Sequence, residues 1–162
     1  MITIGIVSDT HIPIRARSLP VALLQKLQGV DMILHAGDLE IIDVIHELEM
    51  IAQTTAVRGN MDPSFLQGEL EVKRVLRVGK FKIGLTHGRG APEGLEDRIR
   101  HDFPNDIDCI VYGHSHRAVI NKKDGILFVN PGSPTDTVFA PFQSFALLKV
   151  EDDCLSSEIV RL

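Results

Sequence analysis

The sequence predicts an α/β fold in which two mixed β-sheets pack face to face and helices flank the sandwich. The first part of the chain alternates strand, helix, strand, helix and strand, which indicates a parallel sheet with right-handed crossovers. The later part adds more strands, several joined by tight turns, than one such sheet would hold. With 162 residues and no repeat, linker or low-complexity segment, the chain is predicted to form a single domain, residues 1–162.

The alternating part of the pattern covers roughly the first sixty residues. Three apolar segments that run into polar or glycine turns predict strands at residues 2–8, 30–38 and 53–60. A short helix is expected after Ser18, the candidate N-cap residue, with Gly29 at its end. Residues 39–50 repeat apolar side chains every three or four positions, which is typical of an amphipathic helix.

The later part of the chain predicts one helix and seven further strands. Residues 72–88 indicate two strands joined at Gly79–Lys80, and residues 92–103 indicate a helix. The remaining strands are expected at 107–112, in a hairpin over 117–133 that turns at Asp124–Gly125, and at 143–150 and 154–161.

Composition excludes several classes of protein. The formal net charge is −5 and lysines and arginines form no block, so stable nucleic-acid binding is not expected. The chain has neither the roughly 20-residue apolar run of a membrane span nor the features of a signal peptide. A cytoplasmic protein is therefore predicted, and its two cysteines, Cys109 and Cys154, are not expected to form a disulfide.

Five of the predicted strands end in short turns that carry possible metal ligands. In chain order these turns read SDTH, HAGD, VRGN, THG and GHSH. They supply seven oxygen or imidazole side chains: Asp9, His11, Asp38, Asn60, His87, His114 and His116. Because ligands of α/β proteins usually lie at the carboxyl ends of strands, we expect these side chains to lie close together.

The chemistry of this set indicates a catalytic metal site. Nitrogen and oxygen donors without thiolate suit Mn²⁺, Fe, Ni²⁺ or Zn²⁺. Seven side chains are too many for one tetrahedral ion, but they fit two ions that share a carboxylate. Three of them have simpler explanations in isolation, since Asp38 could cap the following helix, Asp9 could merely cap a turn, and Asn60 could serve only its turn.

The ordered motifs DTH, GD, GN, HG and GHSH resemble the signature of the calcineurin-like metallophosphoesterases. The length of the chain and the NPGS at residues 130–133 resemble the small bacterial and archaeal phosphodiesterases of that superfamily. The resemblance implies an αββα sandwich, two divalent ions with Mn²⁺ as the first candidate, and a homo-oligomer. It implies one ion bound by Asp9, His11, Asp38 and His116, and a second bound by Asp38, Asn60, His87 and His114.

The predicted function is that of a dinuclear metal-dependent phosphodiesterase. A hydroxide bridging the two ions would attack the phosphorus of a small phosphodiester, with Asp38, Asn60 and His114 as catalytic residues. One alternative is a phosphomonoesterase or nucleotidase that uses the same site, with Ni²⁺, Fe, Co²⁺ or Zn²⁺ as other possible ions. A second alternative is a scaffold similar to the retromer subunit that shares this fold, although here every expected ligand is present.

Four residues beside these motifs are not expected metal ligands but could affect catalysis or substrate binding. Met61 follows the GN asparagine, where many members of the superfamily have a histidine that assists the leaving group, and a thioether cannot donate a proton. Arg58 and Arg89 flank the GN and HG turns and are candidates for substrate binding or for pairing with a nearby carboxylate. His35 is either a packed strand residue or a partner that orients a ligand.

Overall fold

The computed structural model describes the backbone of residues 1–162 and every side chain except that of residue 67. The strands are β1 (Ile2–Val7), β2 (Met32–His35), β3 (Thr54–Ala56), β4 (Lys73–Val78), β5 (Phe81–Thr86), β6 (Cys109–Val111), β7 (Ala118–Lys123), β8 (Ile126–Pro131), β9 (Ser144–Val150) and β10 (Leu155–Arg161). The helices are α1 (Val21–Lys26), α2 (Asp43–Glu49), α3 (Ser64–Gln67) and α4 (Leu95–Arg100). None of these helices has the length and apolar character that crossing a membrane requires.

The strands form two five-stranded mixed sheets, which confirms the predicted fold class. One sheet has the order β10-β9-β1-β2-β3, with β1, β2 and β3 parallel as the opening pattern predicted. The other has the order β4-β5-β6-β8-β7, and β5, β6 and β8 run parallel. The turns at Gly79–Lys80 and Asp124–Gly125 join antiparallel neighbours, as expected.

Apolar side chains fill the space between the sheets. One buried cluster joins residues of β1 and β2, such as Ile4 and Leu34, to residues of β5 and β6, such as Leu85 and Val111. Burying each side chain of this kind contributes about 1.5–3 kcal/mol relative to exposure. The outer faces are covered by the helices, and Leu95 and Ile99 of α4 pack with Phe103, which follows the helix, in one buried cluster.

Two predicted helix starts were wrong. Ser18 does not cap α1, which begins at Val21 directly after Pro20 and has no side-chain cap. Asp38 does not cap α2, which begins only at Asp43. The helix cannot start at residues 39 and 40 because Glu40 has a positive φ of 73°, which a right-handed helix excludes; the carboxylate of Asp62 holds this segment by accepting the N–H groups of Leu39 and Glu40 at 2.7 Å. The chain between β2 and α2 is therefore a fixed loop at the edge of the sheet.

Candidate metal centre

The turns that follow β1, β2 and β6 share an unusual backbone conformation. In the described chain seven non-glycine residues have a positive φ, and six of them are in these turns: Asp9, His11, Asp38, Glu40, His114 and His116. Left-handed backbone is unfavourable for residues with a Cβ and is concentrated at functional sites, where surrounding contacts maintain it. Here Asp9 N donates to Gly37 O at 3.0 Å, and His11 N donates to Asp38 O at 3.0 Å.

Two glycines allow the turns to approach one another. A Cβ on Gly59 would lie 2.0 Å from Oδ1 of Asp38, and a Cβ on Gly113 would lie 1.9 Å from Oγ of Ser8. Neither position has space for a side chain, because such distances are far below van der Waals contact. The glycines that begin the GN and GHSH motifs therefore let the ends of β3 and β6 lie against the turns after β2 and β1, which carry Asp38 and Asp9.

The first group of possible ligands consists of Asp9, His11 and His116. Oδ1 of Asp9 lies 3.3 Å from Nε2 of His116 and 3.8 Å from Nε2 of His11. The two imidazole nitrogens are 3.2 Å apart. Each ring has a carboxylate at its other nitrogen, which assigns both Nδ1 atoms as donors, and in that neutral tautomer the lone pairs of the two Nε2 atoms face each other. A cation between them would relieve that repulsion.

The second group lies against the first and includes Asp38 and His87. Nε2 of His87 is 3.2 Å from Oδ2 of Asp38 and 3.9 Å from Oδ1 of Asp9. Oδ1 of Asn60 lies 3.0 Å from Nε2 of His87 and 3.1 Å from Nδ1 of His114. The structure thus brings all seven sequence-predicted side chains together. Asp9 belongs to both compact groups, and Oδ2 of Asp38 also faces His11 at 3.6 Å.

The environment of the buried Asp9 carboxylate indicates whether these residues suit a metal ion. Its Oδ2 accepts hydrogen bonds from Oγ of Ser8 and the backbone N–H of His114, but its Oδ1 is buried without a hydrogen-bond partner among the described residues. A buried charged oxygen without a partner is costly. Three imidazole Nε2 atoms surround it, so a divalent cation would satisfy oxygen and nitrogens at once.

The close packing of carboxylates and imidazoles shifts the pKa values of Asp9 and His87. Burial would raise the pKa of Asp9, but His87, His116 and the Ser8 hydroxyl together lower it to about 2. Burial would lower the pKa of His87, but Asp9 and Asp38 raise it to about 9. The carboxylates thus stabilise positive charge on the rings that face them. Cations bound by deprotonated ligands would supply the same charge.

Each histidine of the set is oriented by a bond at its other nitrogen. Nδ1 of His87 donates to Ala36 O at 2.7 Å, and Nε2 of His114 donates to Gly90 O at 2.7 Å. Nδ1 of His11 lies 2.6 Å from Glu40, and Nδ1 of His116 is hydrogen-bonded to Asp136. These bonds fix which nitrogen of each ring faces the site.

Asp62 and Asp136 are two carboxylates of the site that the sequence analysis did not identify. Asp62 is buried and accepts four backbone N–H groups, those of Asp38, Leu39, Glu40 and Gly59. Asp136 is buried beside His116 and accepts the backbone N–H groups of Val138 and Phe139. The only sequence signal was the position of Asp62 in GNMD, two residues after Asn60.

His35 is a packed strand residue that also holds the first two turns together. It is fully buried; its Nδ1 accepts the N–H of Gly37 at 3.2 Å, and its Nε2 lies 3.1 Å from Oγ1 of Thr10. Burial lowers the pKa of His35 to about 3, so the ring is neutral. It bonds to the turns that carry Asp9 and Asp38, and the described contacts show no bond from it to a predicted ligand side chain.

An open cleft of about 390 Å³ leads to these groups. Its lining includes Arg15, Arg117 and Met61 as well as His11, His114 and His116. The predicted substrate-binding residues line a neighbouring cavity of about 290 Å³ that also contains Asn60 and His87. The exposed guanidinium of Arg89 pairs with Asp102, with Nη2 at 3.1 Å from Oδ1. The backbone N–H of Arg58 donates to Glu71 O at 2.9 Å.

Comparisons with known proteins agree with this architecture. Residues 2–153 match the family model of the calcineurin-like phosphoesterase superfamily domain. A probable metallophosphoesterase of Methanothermobacter thermautotrophicus is 36% identical over 159 residues, which are 98% of this chain and 91% of that protein.

Solved structures share the fold over nearly the whole chain. Wild-type Vps29 of Entamoeba histolytica complexed with zinc superposes with a TM-score of 0.77 at 28% identity, covering 99% of both chains. An archaeal phosphodiesterase superposes with a TM-score of 0.75 at 24% identity, covering 98% of this chain and all of that one, and this likeness concerns the fold alone. By its family model and its sequence identity to a probable metallophosphoesterase, the chain belongs to the calcineurin-like phosphoesterase superfamily.

Proposed function

We propose that this protein is a dinuclear metal-dependent phosphodiesterase. The observation that carries the proposal is the buried Oδ1 of Asp9, which has no hydrogen-bond partner among the described residues and lies 3.3–3.9 Å from three imidazole nitrogens, two of them on histidines that line the open cleft. Members of this family typically use divalent metal ions, and the structure contains two overlapping groups of possible ligands. We assign Mn²⁺ as the first candidate, because the donors are oxygen and nitrogen without thiolate.

The proposed ligand sets follow the two groups. Asp9, His11, Asp38 and His116 would hold one ion, and Asp38, Asn60, His87 and His114 the other. Asp38 supports a bridging role because its Oδ2 faces a histidine of each set, at 3.6 Å and 3.2 Å. When bound, two such cations acidify a water molecule and neutralise charge on phosphoryl oxygens.

The protein's own residues supply orientation and charge. Glu40, Asp136 and the carbonyls of Ala36 and Gly90 hold the imidazoles in place before any substrate binds, which lowers the cost of reorganisation. Arg117 lines the cleft, and its guanidinium makes no ion pair within the described part of the chain, so it can bind an anionic oxygen. Arg58 and Arg89 stay proposed substrate contacts from the neighbouring cavity.

A scaffold role is the second candidate, because the solved relatives include Vps29. A phosphomonoesterase with the same site is the nearest enzymatic rival. The sequence further predicts one domain, a cytoplasmic location, homo-oligomerisation and no stable binding to nucleic acid, and these stay predictions.

Hydrolysis of bis(p-nitrophenyl) phosphate by chelator-stripped protein, with and without Mn²⁺, tests the proposal. We expect turnover only with metal, and its loss in Asp38→Asn, which also controls for contaminating enzymes. p-Nitrophenyl phosphate, assayed in parallel, separates the monoesterase, which would prefer it. Absence of turnover of both esters with Mn²⁺, Ni²⁺, Co²⁺ and Zn²⁺ would favour the scaffold.

The substitution Met61→His is expected to restore a general acid at the cleft. Met61 lines the cleft beside Asn60, so an imidazole there would be close to a leaving group. General acid catalysis typically contributes about 10²–10⁴-fold, and leaving groups of high pKa need it most. We therefore expect turnover of alkyl esters to rise by roughly tenfold or more, with little change for nitrophenyl esters. An equal effect on both classes would contradict this explanation of Met61.

A further inference from the structure

Three large apolar side chains stand exposed around the cleft that leads to the candidate metal centre. They are Ile14, Met61 and Phe139, with 72%, 58% and 64% of their surface exposed, and all three line the cleft. Single exposed apolar residues are common on protein surfaces. Three such side chains around one polar cleft are less common, and we call Ile14, Met61 and Phe139 together the apolar mouth. Small-molecule sites usually combine apolar surface of this kind with a few polar groups.

The aromatic member of the mouth is fixed in position relative to the ligands. Asp136 accepts the backbone N–H of Phe139 at 3.2 Å and also bonds to Nδ1 of His116. The Phe139 ring lies edge-on to the His116 ring, with centroids 6.4 Å apart. One buried carboxylate therefore sets the spacing between an exposed aromatic surface and a candidate metal ligand.

Two guanidinium groups at the mouth, whose lining also includes the carboxylates of Asp38 and Glu40, can bind an anionic ligand. The guanidinium of Arg15 lies 4.9 Å from the centre of the Phe139 ring and 3.8 Å from Oδ1 of Asp136. Arg117 lines the cleft as well. A ligand that fits these groups combines a negatively charged oxygen with an apolar or planar group a few atoms away.

We propose that the apolar mouth binds an aromatic ester group of the substrate, so that the enzyme selects small phosphodiester anions carrying at least one aromatic ring. This inference rests on the proposed phosphodiesterase function for its biological meaning. The ring would stack against Phe139 and contact Ile14 and Met61, while the phosphate lies over the candidate metal centre. Phe139, Ile14 and Met61 are then specificity-determining residues.

The cleft volume favours this occupant over a protein partner. About 390 Å³ is within the usual range for small-molecule sites, and the polar groups converge at its base rather than spreading over a flat surface. Protein interfaces instead bury roughly 800 Å² on each partner. A self-association through the mouth would appear as a change of oligomeric state in the variants described next.

Binding of non-hydrolysable phosphinates to the Mn²⁺-loaded protein tests the inference without turnover. Diphenylphosphinate and dimethylphosphinate carry the same charge, but only the first has aromatic rings. Calorimetry is expected to show roughly tenfold tighter binding of the diphenyl anion. Phe139→Ala should reduce that ratio towards one, and Ile14→Ser should reduce it in part. Phe65→Ala is the matched control, because Phe65 is 63% exposed but does not line the cleft, and it should keep the full ratio.

Kinetics distinguish failure of the inference from failure of the proposed function. Phenyl p-nitrophenyl phosphate and methyl p-nitrophenyl phosphate both carry an aromatic ring, so both KM values should rise in Phe139→Ala and stay unchanged in Phe65→Ala. A Phe139-dependent binding ratio without hydrolysis of either ester would leave the inference standing and overturn the proposed function. The inference itself is overturned by equal affinities, by no binding, by a ratio that survives both variants, or by variants that change only the oligomeric state.

Discussion

The substitution Asp9→Asn is expected to reduce stabilisation by Mn²⁺ and to lower metal-dependent hydrolysis sharply. Asparagine has the same shape, and its oxygen can still accept from Ser8 and from the N–H of His114. Its amide nitrogen would replace the unpaired Oδ1 and could donate to the imidazoles that surround it. The apo protein should therefore keep its fold while losing the anionic oxygen common to both groups of ligands.

Thermal unfolding gives a measure of this effect that does not depend on substrate. A metal at 100 times its Kd stabilises the native state by about 2.7 kcal/mol. For a chain of this size that corresponds to roughly 5–10 °C in Tm. Asp9→Asn should show a clearly smaller shift, because the proposed ligand set that contains Asp9 loses its anionic oxygen, and its turnover should fall on the order of 10³-fold. Asp152→Asn, at an exposed position far along the chain, should behave like wild type. A full metal-induced shift in Asp9→Asn would exclude Asp9 as a ligand.

The sequence predicted that the candidate ligands lie close together because their positions depend on a regular feature of the fold. Asp9 and Asp38 directly follow parallel strands, and His87 follows a strand that is parallel to the one before His114. Parallel neighbours place their carboxyl ends at one edge, so apolar periodicity alone brings these turns together. The two sheets were predictable for the same reason, since hairpins and crossovers are local signals.

The supporting carboxylates were not predictable because their partners are distant in sequence and mostly backbone. Asp62 bonds to N–H groups up to 24 residues away, and Asp136 bonds to a histidine 20 residues away. Neither lies in a periodic segment, and acidic residues in irregular segments are usually solvated. The late start of α2 has the same origin, since Asp62 binds the N–H groups of Leu39 and Glu40 in a loop where Glu40 has a positive φ that a right-handed helix excludes. Long-range bonds to the backbone leave no pattern in the chain.

Asp62 is predicted to be the residue whose loss most destabilises the site. Its two carboxylate oxygens accept four backbone N–H groups at 2.7–3.0 Å, and it is 3% exposed. Hydrogen bonds to a charged group contribute about 1.5–3 kcal/mol each, and a buried N–H left without a partner costs about 1–3 kcal/mol. Asp62→Ala removes every acceptor at once. Asp62→Asn keeps one oxygen but directs an amide N–H₂ group at two backbone donors.

We therefore expect Asp62→Asn to lower the free energy of unfolding by at least about 3 kcal/mol, and Asp62→Ala by more. Urea unfolding of the metal-free protein measures both values, with Asp152→Asn as a control that should stay within about 0.5 kcal/mol of wild type. Because the N–H groups of Asp38 and Glu40 lose their acceptor, Mn²⁺ affinity in the variants that still fold should fall by roughly 10–100-fold. A loss of stability without a loss of metal affinity would show that Asp62 supports the fold but does not position Asp38. If neither stability nor metal affinity falls, water must replace the four hydrogen bonds of Asp62 without cost.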